Sequence, residues 1–229
     1  MRFDVLTLFP RMFDGILGES ILKRAIEAGL IQVEVHDLRF WSADKHHKVD
    51  DKPYGGGPGM VMRPEPLFAA VEELQKRVTK DMEQRSHVVL VSPQGERFTQ
   101  KVAARLAEKP NLLLICGHYE GVDQRAIDVL VDEEISIGDV VLTGGEIPAM
   151  ALVDGVARLL PGVLGDESST QDESFSEGRL EYPHYTRPAE FRGMNVPGTL
   201  ISGDHSRVAR WRSRAAFTRT LQRRPDLLL

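Results

Sequence analysis

The stretch LLICGHYEGVDQRAIDVLVDEEISIGDVVLTGGEIPAM, residues 113–150, organises the reading of this chain. It belongs to an apolar strand (Leu112 to Cys116) that passes into a glycine-bearing loop, Gly117 to Gly121. A short helix and a second strand follow, then a loop at Ser136 to Asp139 and a double glycine, Gly144-Gly145. Glycine loops at the ends of apolar strands either build a small-molecule pocket from backbone or make tight turns in an α/β domain. Spacing alone leaves both readings open.

Before this stretch, Phe3 to Phe9 reads as a strand ending at Pro10. Met12 to Ala28 has helical periodicity and stops at Gly29, and Ile31 to Leu38 alternates as a second strand. Ser42 to Gly59 is polar, glycine-rich and too long for a plain connector. Glu65 to Lys80 predicts a helix with its acids early and its bases late. His87 to Val91 is a short buried strand ending at Ser92-Pro93-Gln94-Gly95, and Thr99 to Ala107 and Ala149 to Leu160 are further helices. Strand–helix alternation up to about residue 160 means an α/β fold with a largely parallel sheet. Three glycine or polar loops fall at strand ends, where such sheets bind ligands.

Composition narrows the class. A single cysteine, Cys116, permits no internal disulfide and suits a reducing compartment. No apolar run reaches the ~18 residues of a membrane span and no signal peptide is visible, so the expected location is cytoplasmic. Net charge is −5, yet seven arginines (207, 210, 212, 214, 219, 223, 224) fall together near the C-terminus without an acid among them. Such a run is either a solvated face or a polyanion-binding one. Trp211 and Phe217 interleave with it, as core residues of a small domain or as stacking platforms. Residues 162–178 are acidic and serine-rich, a linker or mobile loop. The expected organisation is a domain over 1–161, that linker, and a small domain over 179–229 that buries little core alone.

Several chemistries lack their residues. There is no G-x-G-x-x-G after a strand, no Lys-Ser/Thr after Gly55 to Gly59, no G-x-S-x-G and no H-E-x-x-H. His46-His47 near Asp50 and Asp51 is better read as a solvated loop than as a metal site, and Cys116 beside His118 as a small hydrophobe rather than a nucleophile.

Taken together, SPQG (92–95), CGHYEGVDQR (116–125), SIGDVVLTGGEIPAM (136–150), LEYPHYTRP (180–188) and SGDHSRVARWR (202–212) resemble the bacterial tRNA (guanine-N1)-methyltransferases. DKPYGGGPGM (51–60) and the N-terminal FDVLTLFPRMF join them, in one collinear order across nearly the whole chain. The resemblance implies a SPOUT-type α/β domain with a deep trefoil knot and a small helical C-terminal domain. It also implies a homodimer with active sites at the subunit interface. The expected reaction is methyl transfer from S-adenosyl-L-methionine to N1 of guanosine 37, immediately 3′ of the tRNA anticodon.

By the same resemblance the methyl-donor pocket comprises Pro93, Gln94, Gly95, Gly117, Tyr119, Glu120, Ile137, Gly138, Asp139, Val140, Val141, Leu142, Gly144, Gly145 and Pro148. Methylation at N1 requires a carboxylate to take the N1 proton and a cation to stabilise charge on O6. Arg158 matches the family's arginine. Family members commonly carry Asp-Ser-Phe in the acidic loop, whereas this chain reads Asp172-Glu173-Ser174-Phe175, which places Glu173 at the catalytic position beside Asp172. Arg187, Arg207, Arg210 and Arg214 are the expected contacts to the anticodon stem-loop. A divalent ion such as Mg2+ is compatible with this chemistry, but no residue pattern calls for one. The competing readings are another knotted RNA methyltransferase, for example one acting on ribose, and a non-catalytic RNA-binding relative.

Overall fold

The computed structural model describes residues 1–82, 84–165, 173–176 and 178–228. Two compact units emerge, Met1–Gly165 and Asp166–Leu229.

In the first unit the elements are β1 (Arg2–Thr7), α1 (Asp14–Leu17), α2 (Ser20–Glu27), β2 (Gln32–Asp37), β3 (Asp50–Asp51), β4 (Val61–Met62), α3 (Pro64–Met82), β5 (His87–Arg97), α4 (Gln100–Ala107), β6 (Asn111–Cys116), α5 (Gln124–Leu130), β7 (Glu133–Ser136) and α6 (Glu146–Ala157). Five strands form one sheet in the order β2-β1-β6-β5-β7. Every neighbouring pair in it is parallel. All carboxyl ends therefore meet at one edge.

The central strand β6 shows why two layers of helix form. Leu112, Leu114 and Cys116 enter one core with Phe3, Val5, Leu152 and Leu106. Leu113 and Ile115 enter the opposite core with Leu67, Leu74 and Ala126. Both faces of an inner parallel strand are covered, so its sequence is a continuous apolar run. Each leucine buried in this way contributes about 1.5–3 kcal/mol. Strand β2 alternates in sequence, yet five of its six residues are only half-buried. It is the sheet's edge and pairs on one side alone.

Two expectations are corrected. The single helix over 12–28 is broken: a 3-10 turn at Pro10–Phe13 leads into α1, and α2 begins only at Ser20. Glu19 is extended (φ −134°, ψ 158°) and Ser20 has φ 53°, so the helical hydrogen-bond ladder cannot continue through them. The apolar spacing persists because both short helices pack on the same core. The second correction concerns β5, which does not end at Val91. Val91 and Glu96 both pair with Ile135, so Ser92–Gly95 is an excursion from a strand that resumes. Gly95 permits this because a Cβ there would overlap the Glu134–Ile135 backbone.

The second unit is lightly packed. It holds a hairpin of β8 (Glu190–Phe191) and β9 (Met194–Asn195), turned by Arg192 (φ 52°) and Gly193 (φ 77°), and helix α7 (His205–Arg223). Asp204 caps α7 by accepting the Arg207 N–H (3.0 Å). Along α7 only Ala216 and Thr220 are buried. Thr220 Oγ1 donates to the Ala216 carbonyl (2.8 Å) and accepts the Leu180 N–H (2.9 Å), which ties the preceding segment to the helix.

Candidate functional site

A cleft of about 300 Å³ opens at the carboxyl ends of β5, β6 and β7. Three loops build it: the Ser92–Gly95 excursion, the turn after β6, and the run from Ser136 into α6. Gly145 N–H donates to the Gly117 carbonyl (2.8 Å), and His118 forms an isolated antiparallel bridge with Gly144. A Cβ on Gly145 would stand 2.8 Å from the Cα of Cys116 and 2.8 Å from the Gly117 nitrogen. Only glycine lets these two backbones approach so closely. The turn after β6 is braced from outside: Met60 accepts the Glu120 N–H (2.9 Å), while Met62 donates to the Gly121 carbonyl (2.9 Å). The end of the glycine-rich 51–60 loop is thus a buttress of the cleft.

Of the expected pocket residues, Pro93, Gln94, Gly117, Tyr119, Glu120, Ile137, Val140, Val141, Leu142, Gly144, Gly145 and Pro148 line the cleft. Gly95, Gly138 and Asp139 do not. Gly95 is pressed against β7, Gly138 makes the turn at φ 141°, and Asp139 pairs with Arg97 (3.1 Å) at the surface. Burial, followed by the charge of Asp50, pushes the Tyr119 phenol above its ordinary value. Burial, followed by the charge of Glu146, pushes the Cys116 thiol up further. That thiol is wholly buried and inert, which removes the nucleophile reading.

Arg158 is the C-cap of α6, its N–H donating to the Asp154 carbonyl (3.1 Å). Asp172 lies outside the described residues. Glu173 is half-buried in the second unit and lines a cavity of about 220 Å³ with Arg179, Tyr182 and Arg212. Arg212 sits over the Tyr182 ring at 4.7 Å. Arg187, Arg207, Arg210 and Arg214 are all exposed. Arg224 is neutralised by Asp226 (2.7 Å), just beyond the arginine run. Trp211 packs toward Tyr185 (6.3 Å between ring centroids), whereas Phe217 is 51% exposed and forms no core.

His46 and His47 gather no metal-like group among the described residues. The one group with such spacing is Asp4, Glu34 and His36. Arg2 pairs with both carboxylates there (2.7 and 3.0 Å), making it an ion-pair cluster. Among the described residues no helix is long and apolar enough to cross a membrane.

The family model for tRNA (Guanine-1)-methyltransferase TrmD matches residues 1–229. The chain belongs to this family. It is 56% identical over 228 residues to the tRNA (guanine-N(1)-)-methyltransferase of Bacillus subtilis (strain 168), spanning 100% of this chain and 92% of that protein. It is 54% identical to the protein of that name from Desulforamulus reducens, spanning 89% of the latter, and 55% identical to that of Bacillus velezensis. The chain is accordingly a tRNA (guanine-N1)-methyltransferase with the α/β architecture described above.

For this methyltransferase the cleft also includes residues outside the expected pocket set. Val122, Gln124, Ile127, Glu134 and Thr143 line it. Gln124 and Ile127 are three apart on the first turn of α5, a spacing that puts both on one face, but nothing in the sequence says which face meets the cleft.

Proposed function

We propose that this enzyme transfers the methyl group of S-adenosyl-L-methionine to N1 of guanosine 37 in the tRNA anticodon loop. The observation that carries this reading is the cleft. Its walls are backbone and apolar side chains at Gly117, Gly144, Gly145, Leu142 and Pro148, with hydrogen-bonding groups at Gln94 and Glu120. Such a surface suits an adenosine whose edges are met by main chain and whose base is sandwiched by apolar groups, with no phosphate to hold. The donor supplies an electrophilic methyl group on a sulfonium.

The chain's own residues do the rest. The Glu173 carboxylate takes the N1 proton so that the ring lone pair is free, and Arg158 stabilises the charge that develops on O6. Asp172 is the alternative base. Residues 162–178 carry the base and close over the anticodon loop, while 1–161 binds the donor and 179–229 binds tRNA. Arg187, Arg207, Arg210 and Arg214 contact the anticodon stem-loop backbone. The target base is already single-stranded there, so exposing it costs little.

The working form is a cytoplasmic homodimer whose first domain carries the trefoil knot. Exposed apolar Val140 (51%) and Val141 (83%), in the loop after β7, and Ile147 (52%), at the start of α6, support the dimer, since large apolar side chains left bare suit a protein interface. The deciding experiment is transfer of labelled methyl to tRNA with identification of the modified nucleoside. N1-methylguanosine that disappears when guanosine 37 is replaced is the expected product. Label on a ribose, or on another base, overturns the reading.

A further inference from the structure

Glu146 belongs to none of the residue sets assigned above, yet it is a charged side chain only 2% exposed, at the first residue of α6. A buried carboxylate is costly unless it is hydrogen-bonded and electrostatically supported. Thr7 Oγ1 donates to its Oε1 (2.7 Å), and Thr7 in turn accepts the Phe9 N–H (2.9 Å). The N-terminus of α6 favours an anion there. Among the described residues no lysine or arginine pairs with Glu146, and none is among those lining the cleft.

The other oxygen, Oε2, lies against Gly144, where a Cβ would overlap it and would stand 2.9 Å from Nε2 of His118. His118 Nδ1 accepts the Tyr119 N–H (3.0 Å), and its Nε2 faces the same glycine. Glu146 thus joins the end of β1 to the start of α6 and lies against Gly144, which with His118 lines the cleft. A fixed charge in such a poorly solvated place acts over a longer range than one in water.

We propose that Glu146 is a positioning and specificity-determining residue: its buried carboxylate, held by Thr7 beside Gly144 and His118, makes the cleft prefer a cationic methyl donor over its neutral demethylated product. This rests on the donor reading given above. Methyl transfer leaves the C–S electron pair on sulfur and removes its charge, so the product loses the attraction and departs more readily than the donor.

The test is calorimetric binding of S-adenosylmethionine and of S-adenosylhomocysteine to the full chain. Glu146→Gln is expected to weaken the sulfonium ligand about tenfold and the thioether by about twofold or less, because only the former senses the lost charge. Thr7→Ser keeps both the hydrogen bond and the charge and should leave the ratio of the two affinities intact. Equal weakening of both ligands by Glu146→Gln makes the residue merely structural and overturns the proposal, as does a collapsed ratio in Thr7→Ser. Should Glu146→Gln not fold, Glu146→Asp must preserve the ratio, and its loss there refutes the idea equally. Wild-type protein that binds neither ligand removes the donor reading itself, an outcome recognisable before any variant is made.

Discussion

In the first unit the cleft wall is made of backbone held close by Gly117, Gly144 and Gly145, with no lysine or arginine among its described residues. In the second unit α7 presents Arg207, Arg210 and Arg214 on long exposed side chains and buries only Ala216 and Thr220. For the proposed donor and tRNA sites the contrast is one of recognition by shape against recognition by charge. Close-packed main chain discriminates a small molecule sharply and tolerates almost no added atom. Exposed guanidinium groups reach a polyanion from many geometries, tolerate substitution, and respond to salt.

The largest expected effect separates chemistry from both kinds of binding. Glu173→Gln should lower methyl transfer by about 10³-fold, the scale of a lost general base, with donor affinity unchanged in a direct binding assay. If Asp172→Asn alone does this, the base is Asp172. Next comes the shape-based site. Gly145→Ala places a methyl against the backbone of Cys116 and Gly117, and overpacking of this sort costs about 1–3 kcal/mol. Donor binding should weaken by about tenfold or more and the melting temperature should fall, while tRNA affinity is retained.

The charge-based surface should behave in the opposite way. Replacing Arg207, Arg210 and Arg214 with alanine should leave donor binding untouched. The dependence of tRNA affinity on salt should flatten by about 0.7 in log–log slope for each arginine removed. An unchanged slope would detach α7 from RNA binding.

The smallest effect on either ligand is expected at Asp4, a buried residue of β1 that does not line the cleft. Burial works to raise its carboxyl, but hydrogen bonds from His36 (2.7 Å) and Arg2 (2.7 and 2.9 Å) outweigh that and hold it below the ordinary carboxylate value. A depressed folded value means stability that is present at neutral pH and is lost as pH falls through it. Thermal melts should therefore show a steep acid limb. Asp4→Asn should flatten that limb and cost about 2 kcal/mol at neutral pH.

Much of the architecture was legible from local patterns. The apolar run Leu112–Cys116 announced a strand covered on both faces, and the glycine that ends α2, Gly29 (φ 69°), sits where periodicity stopped. Local signals failed where two conformations satisfy the same apolar spacing. The break between α1 and α2 keeps the side chains of Phe13, Leu22 and Ala25 on one core, so the pattern of residues cannot reveal it. The Ser92–Gly95 motif was recognisable as a loop, but its return to the sheet depends on Ile135, about forty residues away in sequence.

The residues themselves, read in order, were sufficient for the family and for the segregation of positive charge toward the C-terminus. These follow from identity and spacing along one dimension. Which glycines face the cleft and which merely permit strands to touch was settled by the packing of β5, β6 and β7. The same packing turned Glu146, an unremarked acid at a helix start, into a buried carboxylate bonded to Thr7 from the opposite end of the domain. Burial and hydrogen-bond partnership are properties of neighbours in space, and those neighbours are chosen by the fold.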